Sequence, residues 1–209
     1  SRLARAALLL AACAPAGAYL ATLARWWGAH APAVAASAWT VGCALACALV
    51  AWVGSRLLRP GPWRLAAVVA GLTLLVLTAD GVTGTTLQHG SLLGVTASLG
   101  ARYYGFGNLT FAVYLVSALT VAGALAAALV RRDLRWWAAS AVAGVGLITV
   151  VVDGWPGFGA DFGGIFAVVP AFAVLLLTVA RVLPRSRSPR CACSTSRSGT
   201  GARSRSTRS

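Results

Sequence analysis

Residues 63–84 read WRLAAVVAGLTLLVLTADGVTG, and no charged residue interrupts this run between Arg64 and Asp80. About 20 apolar residues are enough for an α-helix to cross the hydrocarbon core of a bilayer. The whole chain has 58% hydrophobic and 11% charged residues, with a mean hydropathy of +0.78. Because too few polar side chains remain to cover a water-soluble globule, the sequence predicts an integral membrane protein.

Five further runs have a similar length and composition. We therefore predict an all-α, polytopic transmembrane helical bundle over residues 1–184. The first run also reads like a lipoprotein signal cleaved before Cys13, but it stays apolar to Leu23 without a polar linker, so we prefer a spanning helix. The predicted spans, about six in number, are 3–24, 33–54, 63–82, 110–130, 136–153 and 163–183.

The arginines fall in alternate connections and indicate the orientation. Arginines near the membrane favour the cytoplasmic side, so both termini are expected there. The opposite side then receives every acidic residue except Asp133. Tryptophans are expected at the membrane interfaces, and six of them lie at predicted span ends, at positions 26, 27, 63, 136, 137 and 155. The predicted location is the bacterial plasma membrane.

The segment 185–209 differs from everything before it. It consists almost wholly of Arg, Ser, Thr, Gly, Ala, Pro and Cys, and it carries seven of the eighteen arginines. Such a composition predicts disorder and is typical of out-of-frame translation in a GC-rich gene. We expect a fragment from a GC-rich bacterium, such as an actinobacterium. No specific nucleic-acid binding is expected from the net charge of +14.

Two spans end in matching motifs, with Asp80 in ADGVTG and Asp153 in VDGWPG. Each motif is followed by a second glycine signature, GFGN at 105–108 and GFGAD at 157–161, and then by Phe-Ala-Val at 111–113 and 166–168. These matches predict parallel hairpin repeats, spans three–four and five–six, which in transporters place a binding site at the repeat interface.

A carboxylate at the C-terminal end of a helix is disfavoured by the helix dipole. Asp80 and Asp153 therefore need a cation, a bound ion or a proton to compensate. Arg102 is the expected protein partner, and the two aspartates are candidate catalytic or ion-binding groups. The alternative is that Asp-Gly simply turns the chain outward.

The approach to span four combines an arginine, two phenols and flexible glycines. Backbone N–H groups near a helix N-terminus bind anions, so these residues predict a phosphate or carboxylate receptor. Asn108 and Asp161 precede spans four and six, where helix capping is the simpler interpretation of both. The candidate ligand-binding residues are Arg102, Tyr103, Tyr104, Gly105, Gly107, Asn108 and Asp161.

His89 is a candidate general acid or base in the same outer loop, although a lone loop histidine is usually just solvated. The familiar nucleophile, zinc-protease, phosphate-loop and dinucleotide motifs do not occur in the sequence. Cys13, Cys43 and Cys47 lie in apolar runs without histidine at metal-ligand spacing, so no metal site is assigned. No cofactor can be assigned, and whether the protein is an enzyme stays open.

The segments ARYYGFGN at 101–108 and DGWPGFGADFGG at 153–164 also resemble a group of multi-pass bacterial membrane proteins of undefined biochemical function, well represented in actinobacteria. The resemblance covers roughly residues 63–183. It departs at Leu109, where some of these proteins carry an acidic residue. The resemblance implies a membrane protein and brings no activity with it.

Three functions follow as hypotheses. The first is a cell-envelope protein whose outer face binds an anionic or lipid-linked phosphate substrate through Arg102 and the glycine-rich backbone. The second is an ion- or proton-coupled transporter domain in which Asp80 and Asp153 carry the ion. The third is a non-catalytic membrane scaffold or anchor. Burial of the two aspartates between spans would favour transport, and an outer cavity shared with Arg102 would favour substrate binding.

Overall fold

A computed structural model of the chain describes residues 2–57, 61, 63–94, 105–155, 157 and 162–182. Every long element in this part of the chain is an α-helix. The helices are α1 (Arg2–Leu20), α2 (Pro32–Leu57), α3 (Arg64–Val82), α4 (Asn108–Val130), α5 (Arg135–Gly154) and α6 (Phe162–Val182). Short 3₁₀ turns occupy Ala21–Ala24, Trp26–Gly28 and Gln88–Gly90. The predicted all-α architecture is confirmed.

All six helices are long and apolar enough to cross a membrane, and their bounds agree closely with the predicted spans. The α-helical part of α1 ends at Leu20, and the 3₁₀ turn Ala21–Ala24 completes the predicted span, while α2 continues to Leu57 rather than ending at residue 54. Many large apolar side chains point away from the protein, among them Leu49, Phe166 and Val174. Because lipid tails solvate such side chains, the exposure is what a multi-pass membrane protein requires. The tail at 185–209 lies outside the described residues.

The helices form two groups that meet at α3 and α4. The first group packs α1, α2 and α3 around Cys13, Cys47 and Ala51. The second packs α4, α5 and α6 around Ala122, Val142 and other small or branched side chains. Small residues allow close helix approach, as expected where lipid replaces water as the solvent. In this arrangement α3 and α4 form one antiparallel pair, and α5 and α6 form the next.

The two ends of the bundle differ in charge. One end, here called the arginine end, brings Arg64 of α3 together with Arg131 and Arg132 after α4 around one cleft. The other end, here called the acidic end, joins the last turns of α3 and α5 to the start of α4. A third cluster lies there and consists of Tyr19, Leu77, Phe106, Tyr114 and Val152.

Candidate functional site

Asp80 and Asp153 are both buried in the last turns of membrane-spanning helices. Asp80 lies two residues before the end of α3 and is 1% exposed, and Asp153 is the penultimate residue of α5 and is 0% exposed. Burial of both side chains disfavours the alternative in which Asp-Gly merely turns the chain outward at the surface.

The two aspartate-bearing helix ends lie against each other. A Cβ atom placed on Gly81, the residue after Asp80, would lie 3.0 Å from Cγ1 of Val152, the residue before Asp153. The same atom would lie 3.0 Å from Cζ of Phe106. Glycine at position 81 therefore permits the close approach of α3 and α5 that brings the two acidic motifs to one place.

Asp80 is bound by the loop that follows it. The backbone N–H of Leu87 donates to Oδ1 at 2.7 Å, and the Gln88 side-chain amide donates to Oδ2 at 3.3 Å. The backbone carbonyl of Asp80 also accepts the N–H of Thr85 at 2.7 Å. The exposed His89 imidazole interacts electrostatically with the carboxylate. These donors supply part of the compensation that the helix terminus lacks.

Gln88 and Thr85 extend this network to the start of α4. The Gly107 N–H donates to Oε1 of Gln88, and the Gly105 N–H donates to Oγ1 of Thr85, both at 3.3 Å. The N–H groups of Gly105 and Gly107, expected to receive an anion, are thus engaged inside the protein. Asp80, through these two residues, connects the end of α3 to the beginning of α4.

Thr85 has a left-handed backbone with φ of 58° although it is β-branched, and it is buried. A non-glycine residue in this region costs on the order of 1–2 kcal/mol. The two hydrogen bonds described above hold Thr85 in this conformation. Gly105 also has a positive φ of 91°, which glycine adopts without a steric penalty. Local strain therefore accompanies the network around Asp80.

Asp153 has a different environment, formed by the helix that follows it. A Cβ atom placed on Gly164, in the first turn of α6, would overlap Oδ2 of Asp153. A Cβ atom placed on Gly154 would likewise overlap the side chain of Ile165 in the same turn. The N-terminal end of a helix carries partial positive charge, which stabilises a nearby carboxylate. The glycine at position 164 makes this approach possible.

Two buried tyrosines complete the site, and neither was singled out from the sequence. The Tyr19 hydroxyl lies 2.8 Å from Oγ1 of Thr110, and the Tyr114 hydroxyl lies 3.3 Å from Oγ1 of Thr78. Both tyrosines belong to the cluster that contains Leu77 of α3 and Val152 of α5, so they lie near the helix ends that carry the aspartates. Each tyrosine sits alone in an apolar run, so no motif marked it. The one indication that the sequence offered was a polar hydroxyl group within an otherwise apolar span.

The other predicted ligand-binding residues have mixed outcomes. Arg102, Tyr103, Tyr104 and Asp161 lie outside the described residues, so the structure does not place them relative to the aspartates. Asn108 is the exposed first residue of α4, and Gly107 occupies the N-cap position instead. The capping interpretation of Asn108 is therefore wrong, because the helix begins one residue earlier than that role requires.

No family model, curated protein or solved structure matches the chain. Within the part of the chain that the structure describes, no three His, Cys, Asp or Glu side chains come together as a metal-binding group. The function must therefore be argued from the aspartates and their surroundings.

Proposed function

We propose that this chain is an ion- or proton-coupled transporter domain of the bacterial plasma membrane. Asp80 and Asp153 are the charge-carrying residues at its extracytoplasmic end. The observation that carries the proposal is the burial of both carboxylates at the contacting ends of α3 and α5. The arginines at the opposite end support this orientation, because positive residues favour the cytoplasmic side.

Burial gives the two carboxylates a reason to bind a cation. An ionised carboxylate in a low-dielectric site is costly unless it is paired or hydrogen-bonded. A proton or a cation on a buried carboxylate removes this cost. Ionisable residues inside spans commonly mark ion pathways for this reason.

The hydrogen bonds of Asp80 suggest how occupancy is coupled to a structural change. Leu87 and Gln88 both donate to the carboxylate, so a proton or cation on Asp80 competes with them. Loss of these bonds loosens Gln88 from Gly107 at the start of α4. The loop at residues 85–90 then acts as a latch that is closed when Asp80 is charged and weakened when Asp80 is neutralised.

The anion-binding alternative has less support. It used the N–H groups of Gly105 and Gly107 as the receptor, and both donate to side chains of the preceding loop. An anion would have to displace Thr85 and Gln88 before it could bind there. The remaining candidate, a cell-envelope protein that binds an anionic or lipid-linked phosphate, then depends on Arg102 and its two neighbouring tyrosines.

Reconstitution into proteoliposomes tests the transport proposal. Proton or Na⁺ flux is followed with entrapped indicator dyes after a gradient is imposed. We expect flux in the wild type and a loss of at least about tenfold in Asp80→Asn and in Asp153→Asn, because asparagine can neither carry the proton nor neutralise the cation, and losing about 1.4 kcal/mol of binding already changes an equilibrium tenfold. Asp133→Asn is the matched control, because Asp133 is an exposed aspartate at the arginine end.

If Asp80→Asn and Asp153→Asn show the same flux as the control Asp133→Asn, the two buried aspartates do not carry the ion. Absence of flux in a folded wild-type protein, under both proton and Na⁺ gradients, would remove the transporter proposal and favour the scaffold. Circular dichroism of each purified variant distinguishes loss of flux from loss of fold.

A further inference from the structure

A cleft of ≈ 680 Å³ opens between α1, α3 and α4, away from the aspartates. Its volume falls within the range of roughly 300–1,000 Å³ that is typical of small-molecule sites. The walls are formed by Leu8, Leu9 and Ala12 of α1, together with apolar residues of α3 and α4. The site is independent of the transport proposal, since none of its lining residues belongs to the aspartate network.

The shape and lining of the cleft suit an extended apolar chain. The lining of α1 extends from Arg5 to Pro15, a length of about 15 Å along a helix axis. Apart from Arg5 and three hydroxyl-bearing residues, every lining side chain is apolar. The acyl chains of the surrounding bilayer are extended apolar chains that can enter such a cleft from the side.

The two threonine hydroxyl groups in the lining do not call for a polar ligand. Oγ1 of Thr73 donates to the Val69 carbonyl at 3.0 Å, and Oγ1 of Thr120 donates to the Val116 carbonyl at 2.7 Å. Both threonines thus satisfy their O–H donors within their own helices. A hydrocarbon chain can occupy the cleft without leaving these donors unbonded.

The two ends of the cleft differ. At the acidic end, the hydrogen bond between Tyr19 and Thr110 joins α1 to α4 one turn beyond Pro15. At the arginine end, the exposed Arg5 lines the cleft and supplies its positive charge. An occupant therefore has its apolar part between the helices and its polar part beside a guanidinium group.

We infer that this cleft binds an acyl chain of an anionic phospholipid whose phosphate-bearing headgroup contacts Arg5. Arginine binds phosphate oxygens through a planar set of donors. Basic side chains next to a membrane leaflet attract anionic lipids. The apolar walls hold the chain, and Arg5 selects the headgroup.

Lipid titration of the detergent-purified protein tests this inference. Phosphatidylglycerol and phosphatidylcholine with identical acyl chains are added, and bound lipids are counted by native mass spectrometry. We expect phosphatidylglycerol to bind about fivefold more tightly, which corresponds to one basic contact. Arg5→Gln should remove this difference, and it should weaken phosphatidylcholine binding less than phosphatidylglycerol binding, because choline already neutralises the phosphate charge of phosphatidylcholine. Arg25→Gln, at the acidic end, is the matched control and should retain the preference.

Filling the cleft tests where the acyl chain lies. Ala12→Phe places a ring in the wall and should weaken binding of both lipids, whereas Ala11→Phe changes the adjacent exposed residue outside the lining. Ala112→Phe repeats the test from α4 should the α1 variant fail to fold. Equal binding of the two lipids by the wild type would overturn the inference, as would an undiminished preference in Arg5→Gln or unchanged binding in a folded cleft-filling variant.

Discussion

Asp80 and Asp153 occupy matching places at the ends of α3 and α5, but different elements compensate their charges. Asp80 is bound by the loop that follows α3, through Leu87 and Gln88. Asp153 lies against the first turn of α6 at Gly164. The connections differ in length, since 25 residues separate α3 from α4 and seven separate α5 from α6. Similar motifs therefore acquire different surroundings from the chain that follows them.

The same contrast limits the repeat interpretation. The hairpins α3–α4 and α5–α6 are both antiparallel pairs, as expected for a repeated unit. Their Phe-Ala-Val segments differ in packing, because Phe111 packs against two core clusters and contacts the position of Gly164, whereas Phe166 is 78% exposed. The sequence match at these two phenylalanines does not correspond to a shared structural role.

Closing the approach between Asp153 and α6 should have the largest effect. In Gly164→Ala the new Cβ would overlap Oδ2 of Asp153 and lie 2.7 Å from Cε2 of Phe111. We expect destabilisation of about 1–3 kcal/mol from overpacking, measured by unfolding titration in mixed micelles. Gly144→Ala in α5 is the control, because a Cβ there meets no atom within 4 Å. Equal stability of the two variants would show that α6 does not hold Asp153.

Removing the amide of Gln88 tests the surroundings of Asp80. Gln88→Leu takes a donor from Asp80 and leaves the Gly107 N–H without its acceptor. Asp80 keeps its bond from Leu87, and the Gly107 N–H is only part-buried, so the cost should lie at the lower end of the range for an unsatisfied group, about 1 kcal/mol in the same titration. Thr86→Val changes a neighbouring exposed position and should stay close to wild type. If Gln88→Leu and Thr86→Val have the same unfolding free energy, the loop is not bound through Gln88.

The tyrosines offer a comparison of smaller effects. Tyr19→Phe removes a 2.8 Å hydrogen bond to Thr110, and Tyr114→Phe removes a 3.3 Å hydrogen bond to Thr78. Hydrogen bonds between transmembrane helices contribute on average about 0.6 kcal/mol, and we expect Tyr19→Phe to cost more because its bond is shorter. A double-mutant cycle of Tyr19→Phe with Thr110→Val measures the coupling directly. Zero coupling would contradict the contact between α1 and α4.

The smallest effect is expected at the arginine end. Asp133 forms an exposed ion pair with Arg135 at 3.4 Å, and its side chain is 87% exposed. Exposed pairs contribute about 0–1 kcal/mol. Asp133→Asn should therefore leave thermal stability in detergent nearly unchanged, unlike substitution of either buried aspartate. A large loss of thermal stability in Asp133→Asn would show that burial does not determine which aspartates matter for stability.

Sequence reasoning located the helices well because hydropathy acts along the chain. Each span is a continuous apolar segment bounded by arginine, tryptophan or Asp-Gly, and its bounds follow from local composition. The acidic motifs were also found, since aspartate is rare in this chain and costly near a span. What could be read locally was therefore predicted, including the positions of Asp80 and Asp153 at the helix ends.

The surroundings of the aspartates could not be read in this way. Tyr19 contacts Thr110 across 91 positions of sequence, and nothing near either residue indicates the other. The role of Gln88 depends on the path of the loop, which in turn depends on the left-handed conformation of Thr85. The close approach at Gly164 depends on how α5 and α6 pack. Such contacts arise from tertiary structure and leave no periodic pattern in the sequence.

Infrared difference spectroscopy tests most directly whether Asp80 and Asp153 bind a proton or a cation. Spectra of the purified protein are recorded while the pH or the Na⁺ concentration is stepped, and carboxyl bands are assigned by substitution. Assignment is tractable because the chain has four acidic residues. We expect a carboxyl signal that decreases in Asp80→Asn and in Asp153→Asn, disappears in the double variant, and persists in Asp133→Asn. An unchanged signal in the double variant would contradict this expectation.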